Sequence, residues 1–422
     1  VGTHTSGIFR TTNGGTNWNC VTDDLTFPVL GVTQFLPDPN FSTSKRILAV
    51  TGIGWIEGGI IYSTDAGATW SECTQSLPQF YHIDYHPTQA GLVFGIAKDH
   101  VYYSEDHGVT WTSFAYPTNF DPVHKEGHRI IVCDDKILFT AREQFTTGAY
   151  IYEGALTLTP STSVSWGAND ISGNFMTNTR QYINFSSKAG STFYIVLRDA
   201  FSNDITMKTS DYGDTFTQTP VEINTYDHWT TNQIIASPNN PNVAYRAGVW
   251  NWVRYDFSNT TNPTQQIIIE PTNPGHHDDY RGYHVFNDNG KDRIISGHDG
   301  GIGLTKDGLA SPPRIESLNG DLSINLIHAF DYHEKTQQYA YAFQDMKMTI
   351  RYPDNTYSSE FLHEGAASMI HEFNPENVVG ENTYLFIDDR SSLSQDFPII
   401  NGTFGTGDEL ELNGYFIDYR HD

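Results

Sequence analysis

The residues best equipped for chemistry crowd into two neighbouring strings, PGHHDDYRGYH (Pro274 to His284) and GHDGG (Gly297 to Gly301). Together they bring His276, His277, His284 and His298 close in sequence to Asp278, Asp279 and Asp299. Imidazoles and carboxylates at short spacing suit three tasks. They can ligate a transition metal, or Ca2+ through the carboxylates alone. They can bind a sugar and move its protons. They can also simply hold tight turns, because Asp and Gly serve bends and a channel mouth collects polar side chains. No HExxH helix and no CxxC pair favours a metal, so no metal site and no cofactor is expected, Ca2+ being the one ion the carboxylates would suit.

Aromatic residues supply a second set of candidates. AGVWNWVRY (Ala247 to Tyr255) alternates Trp250, Trp252 and Arg254, and Trp229 lies shortly before them. An exposed indole face stacks on a sugar ring, whereas period-two aromatics in a strand also serve as core. For inverting glycoside hydrolysis two carboxylates must stand roughly 6.5–9.5 Å apart. Asp278, Asp279, Asp299 and Asp345 are the nominees.

These residues have to be positioned by something, and a repeated octapeptide indicates what. STDAGATW ends at Trp70 and SEDHGVTW at Trp111; TTNGGTNW ends at Trp18 and TSDYGDTF at Phe216. The shared positions are an acid or amide (Asn13, Asp65, Asp106, Asp211), a glycine (Gly15, Gly67, Gly108, Gly213), a threonine in three copies (Thr69, Thr110, Thr215) and a closing ring. Asp or Asn bonding nearby N–H groups, followed by Gly at positive φ, is hairpin chemistry. Apolar β-branched or aromatic runs precede each turn, as in GGIIYS and HVYYS, and read as strands. The closing Trp or Phe is expected to fill a gap between sheets.

The octapeptides resemble Asp-box repeats, also called bacterial neuraminidase repeats, which occupy the hairpin between the third and fourth strands of β-propeller blades. That resemblance implies an all-β chain of four-stranded antiparallel blades. It extends to sialidases, two-propeller xyloglucanases, the sortilin ectodomain and many secreted proteins without known catalysis. The "H-x-D … H … D-G-G" rhythm around His298 is similar to secreted members of this group. A sialidase arginine box is absent from its expected place, because Pro313-Arg314-Ile315 falls deep in the chain.

At about 45 residues per repeat the 422 residues hold about nine blade-like units. They can be arranged as one propeller over 1–422, or split near 310–320 into a seven-bladed ring and part of a second. NGYFIDYRHD at the C-terminus pairs in this reading with VGTHTSGIFRT at the N-terminus to close a ring. The net charge of −26 argues against nucleic acid and anionic membrane as partners. No apolar run reaches the roughly 18–20 residues of a membrane span. Cys20, Cys73 and Cys133 read as thiols rather than a disulfide framework.

The sequence thus points to an extracellular or cell-surface binding and scaffolding module with a glycan or protein ligand, belonging to a longer polypeptide and exported, as the resemblance implies, with a C-terminal sorting domain of the type IX secretion kind. A polysaccharide hydrolase of the two-propeller class is the alternative, and enzyme status leans to no. A sortilin-like peptide receptor, anchored by Arg246, Arg254 or Arg281, ranks below both.

Overall fold

A computed structural model describes the chain except residues 4–5, 28, 30, 53–57, 74, 144–147, 160, 168–170, 172–179, 187, 200–203, 219–233, 248–251, 260–261, 270–279, 299, 312, 323–326, 334–336, 344–347, 361–366, 371–376, 382–384, 390–396, 400–409, 414–415 and 420–422. It is all-β: apart from the single turn of helix Phe41–Ser44, every named element is a strand. The chain divides into two compact units, Val1–Leu322 and Ser323–Asp422.

The first unit is a propeller. Its six four-stranded antiparallel sheets follow chain order, with first strands Val32–Pro37, Phe80–Tyr85, Lys125–Val132, Arg180–Phe185, Ile234–Ala236 and Tyr280–Asp288. Each blade buries its faces against its neighbours. Leu48, Val50 and Ile60 of the first blade share a cluster with Phe80, Ile83 and Trp111 of the second. Phe94 and Ile96 of the second meet Phe139 and Tyr152 of the third, and Ile131 and Ile151 of the third meet Phe185 and Phe193 of the fourth. Tyr194 joins Ile234 and Tyr255, and Trp252 joins Tyr280 and Tyr283.

An N-terminal pair of short strands, Phe9–Arg10 and Asn19–Cys20, closes this ring. On one side Ile8 packs with Trp70, and Arg10 Nε donates to Ala66 O (3.0 Å). On the other, Trp18 Nε1 donates to Leu318 O (3.0 Å), while Trp18 N and Asn17 Nδ2 donate to the Asp321 carboxylate at 2.7 and 2.9 Å. The first unit therefore closes with six to seven blades, and the about nine units that the repeat length predicts are counted over the whole chain, whose second unit carries further sheets. The closing partner of the N-terminal turn is the stretch 318–321 and not the C-terminal strand, which pairs locally as Phe416–Tyr419 with Leu410–Asn413.

The second unit holds two further four-stranded sheets and that terminal hairpin. The first of its sheets runs Ile327–His333, Gln338–Phe343, Met348–Arg351, Tyr357–Glu360.

The octapeptide turns form as their residue types require. In the first blade Asp65 Oδ1 accepts from Ala68 N, Thr69 N (both 2.9 Å) and Ser63 Oγ (2.8 Å), and Oδ2 accepts from Thr69 Oγ1 at 2.7 Å. Asp106 and Asp211 repeat the pattern with Thr110 and Thr215. Burial is the largest single influence on Asp65 and opposes ionisation, but the hydrogen bonds from the Thr69 hydroxyl and N–H, Ser63 and Ala68 together outweigh it and hold the carboxyl down at about 2. The ring that closes the turn is buried at Trp70 and Trp111 and half-buried at Trp18 and Phe216.

Two consecutive residues of each turn are left-handed, the first of them non-glycine in three copies: Ala66, His107 and Tyr212. The two best-matched glycines differ in surroundings. A methyl group added at Gly67 (φ +77°) would meet no atom nearer than 3.5 Å, but one added at Gly108 (φ +84°) would fall 2.7 Å from both methyls of the fully buried Leu48. Gly67→Ala is expected to cost about 1–2 kcal/mol from backbone strain alone. Gly108→Ala adds overpacking and is expected to cost about 2–4 kcal/mol. Equal urea midpoints for the two variants would contradict this.

Candidate functional site

The first strands of successive blades surround the ring axis, and they lack a backbone ladder between them. Side chains supply the link instead. Gln34 acts as a substitute peptide: its Nε2 donates to Ile83 O (2.8 Å) and its Oε1 accepts from Ile83 N (2.9 Å). His82 Nδ1 lies 3.4 Å from Ile130 N and its Nε2 lies 3.2 Å from Arg129 Nη1. His128 reaches the backbone of Ile183. Asp84 Oδ2 accepts from Val132 N at 2.9 Å. Lys188, in the turn after the fourth blade's first strand, completes this clasp. Its Nζ donates to Asp84 Oδ2 (2.6 Å), to Tyr85 O (2.8 Å) and to Val132 O, tying three blades at one point.

Burial and neighbouring cations keep the two imidazoles of this rim unprotonated. Burial first, then the Arg129 guanidinium, pushes the His82 imidazole well below its ordinary range. Burial with Arg129 and Arg142 brings His128 to about 3. Both rings are neutral near pH 7 and serve as hydrogen-bonding groups.

A β-bulge recurs on these strands. The register slips between Val32 and Gln34, Phe80 and His82, Gly127 and Arg129, Arg180 and Tyr182, and Tyr280 and Gly282. One extra residue is inserted at the same step in five of six blades: Thr33, Tyr81, His128, Gln181 and Arg281. A bulge re-aims a side chain and interrupts pairing. Thr33 and Arg281 are exposed, and Tyr81 is half-buried. His284, three residues beyond Arg281, is open to solvent, yet protein encloses it enough that desolvation lowers its pKa.

The residues nominated from sequence fare differently. Trp229, Trp250, His276, His277, Asp278, Asp279, Asp299 and Asp345 lie outside the described residues. Trp252 is fully buried, its ring 4.5 Å from that of Tyr283 and 5.2 Å from that of Tyr280. It is inter-blade core and offers no face to a sugar. Arg254 is a turn clamp: Nη1 donates to Gly308 O (2.9 Å) and Ala310 O (3.2 Å), and Nη2 to Gln266 Oε1 (2.8 Å). Arg246 is fully buried, which leaves Arg281 as the exposed member of the proposed peptide anchors.

His284 and His298 share a hairpin without meeting. His284 pairs with Ile295, three residues from His298, so about 10 Å separates their positions and their side chains leave opposite faces. His298 instead sets its ring edge-on to Tyr280 at 5.8 Å. Among the described residues no group of three or more His, Cys, Asp or Glu side chains is arranged to hold a metal ion. The three cysteines are free thiols; Cys133 is buried and its pKa is pushed up to about 12 by that burial.

Thr33, Tyr81 and the clasp residues Gln34, His82 and Asp84 were not among the nominees. A polar residue two or three places into the first strands of the first two blades, Gln34 and His82, was the available signal.

No family model matches the chain, and no curated protein sequence matches it either. Solved structures do resemble it. An ancestral GH74 enzyme aligns over 92% of this chain with a TM-score of 0.51 at 11% identity. The extracellular domain of a protein of B. thetaiotaomicron assigned to the hybrid two component systems aligns over 92% with a TM-score of 0.48 at 12% identity. The major Malassezia sympodialis allergen Mala s 1 aligns over 60% with a TM-score of 0.40 at 7% identity. The chain spans 65% of the GH74 enzyme and 48% of the extracellular domain. At these identities the likeness to the GH74 enzyme is one of fold, and the class it defines is the β-propeller. Among the described residues no helix is long and apolar enough to cross a membrane.

Proposed function

We propose that the chain is an extracellular propeller module of the Asp-box kind that binds a glycan at the inner rim of its first unit. The recurrent bulge carries this reading. It puts the hydroxyl, phenol and guanidinium groups of Thr33, Tyr81 and Arg281 at one step of the first strands of the first, second and sixth blades, with the His284 imidazole three residues beyond Arg281. Such groups recognise hydroxyls and ring oxygens. A protein ligand would call for an apolar contact core, whereas Val123 and Tyr332 are the large apolar side chains exposed among the described residues.

Arg281→Ala combined with His284→Ala is expected to weaken glycan binding roughly 10–100-fold, the loss of one charge-assisted and one neutral hydrogen bond. A glycan array followed by titration of the best ligand checks it. Unchanged affinity, or capture of no glycan, would count against the reading.

A second reading is favoured by the fold shared with a GH74 enzyme: a glycoside hydrolase using carboxylates among Asp278, Asp279, Asp299 and Asp345. Release of reducing sugar from a polysaccharide panel supports it, and binding without turnover supports the first.

A further inference from the structure

The first sheet of the second unit carries a ladder of rings that ends at the sheet's edge. Tyr332 pairs directly with Tyr339, and Tyr339 with Arg351, so the three stand side by side on one face of three adjacent strands. The Tyr332 and Tyr339 ring centroids are 4.6 Å apart with planes 32° from parallel. The Arg351 guanidinium lies 5.3 Å from the Tyr339 ring centre, and its Nη2 donates to Asn355 Oδ1 at 2.5 Å. Tyr341 continues the face along the same strand, 6.1 Å from Tyr339 and within 8° of parallel.

Three features make this more than packing. Ile327–His333, which carries Tyr332, is the edge strand of its sheet among the described residues, and the neighbouring strand Ala367–Ile370 belongs to the next sheet. Tyr332 is 40% exposed, whereas the aromatic rows of the first unit, such as Phe139 with Tyr152 and Trp252 with Tyr283, are buried between blades. And the ring is braced from behind: Tyr339 supports Tyr332, and the tethered Arg351 supports Tyr339 through a cation–π contact. A tyrosine held this way loses little conformational freedom on binding.

We propose that Tyr332 is a stacking subsite for a neutral sugar ring, which would occupy the next place in the ladder. The ligand must present an apolar C–H face to the ring and hydroxyls around it. The phenol of Tyr332 and the solvent at the sheet edge suit those hydroxyls, while Arg351 acts from two strands away as a brace. A nucleobase could stack equally, but the net charge of −26 repels its phosphate chain. This site rests on the glycan reading for its ligand class and stands on residues separate from the rim of the first unit.

Affinity gel electrophoresis of the full chain in hydroxyethyl cellulose, a neutral probe, tests it. Wild type is expected to be retarded. Tyr332→Ala is expected to weaken retardation at least about 10-fold, Tyr332→Trp to retain it, and Val123→Ala, at an exposed side chain with no part in either site, to leave it unchanged. Because Tyr332 is exposed, Tyr332→Ala should melt as wild type does, and that separates lost binding from lost fold. No retardation of wild type, equal retardation of Tyr332→Ala, or loss in Tyr332→Trp overturns the proposal. If glycan binding fails only in the Arg281 and His284 variants, the rim reading stands and this subsite falls. If it fails only in Tyr332→Ala, the rim reading falls.

Discussion

Lys188→Met is expected to destabilise the protein by about 3–5 kcal/mol, the range for removing one partner of a buried ion pair. The side chains of Lys188 and Asp84 are 11% and 17% exposed, so neither charge is well served by water. The substitution leaves the Asp84 carboxylate with the Val132 N–H, and it leaves the Tyr85 and Val132 carbonyls without their ammonium. Three blades lose their common fastening at once. Asp84→Asn in the same chain removes the stranded charge, so the double variant is expected to be more stable than Lys188→Met alone. Urea unfolding of the four proteins gives the coupling directly; a double variant weaker than Lys188→Met would contradict the ion-pair account.

The pH dependence of that variant has a definite sign. Burial raises the Asp84 pKa in the folded chain, and Lys188 pulls it part of the way back. Without Lys188 it rises further. A carboxyl whose folded pKa exceeds its unfolded value near 3.9 binds its proton more readily when folded, so stability increases as pH falls from the folded toward the unfolded pKa. The deficit of Lys188→Met relative to wild type should therefore narrow as pH falls from about 7 toward the unfolded value near 3.9. A deficit that stays constant or widens would show that Asp84 is not the group left stranded.

What the sequence made legible is chemistry confined to a few neighbouring residues. Asp65 binds the N–H groups of Ala68 and Thr69, so its whole function lies inside one octapeptide. The clasp was not legible, because Gln34 and Ile83 are 49 residues apart and nothing in either strand marks the other as partner. The bulged residues are themselves neither Gly nor Pro, and glycine flanks two of the five slips, at Gly127 and Gly282; Thr33, Tyr81 and Arg281 look like ordinary alternation until the register is known. Trp252 and Arg254 illustrate a different ambiguity. A strand with Trp and Arg on alternate residues serves equally as ligand platform or as inter-blade packing, and the rings of Tyr280 and Tyr283 decide it by filling the space over Trp252. Blade number depended on where the N-terminal turn docks, a contact between Trp18 and Leu318 across 300 positions.

Trp111→Ala is expected to cost about 3–5 kcal/mol, as large aromatic truncations in a core do. The indole is 4% exposed and lies in the cluster that joins the first blade to the second, beside Leu48, Val50 and Ile60. Its ring meets Phe80 at 5.2 Å, and its Nε1 donates to Gly108 O at 3.0 Å, within its own turn. The residue thus couples two levels of structure: it fastens the hairpin through the indole N–H and fills the space between sheets with the ring. Trp111→Phe keeps most of the filling and loses the bond, so about 1–2 kcal/mol is expected. Trp18, the counterpart in the N-terminal turn, is half-buried and also donates Nε1, but to Leu318 O of the sixth blade. With less surface removed from water, Trp18→Ala should cost clearly less than Trp111→Ala. Urea midpoints in the order wild type, Trp111→Phe, Trp18→Ala, Trp111→Ala are expected, and a Trp111→Ala variant no weaker than Trp18→Ala would remove the case for the ring as a wedge between blades.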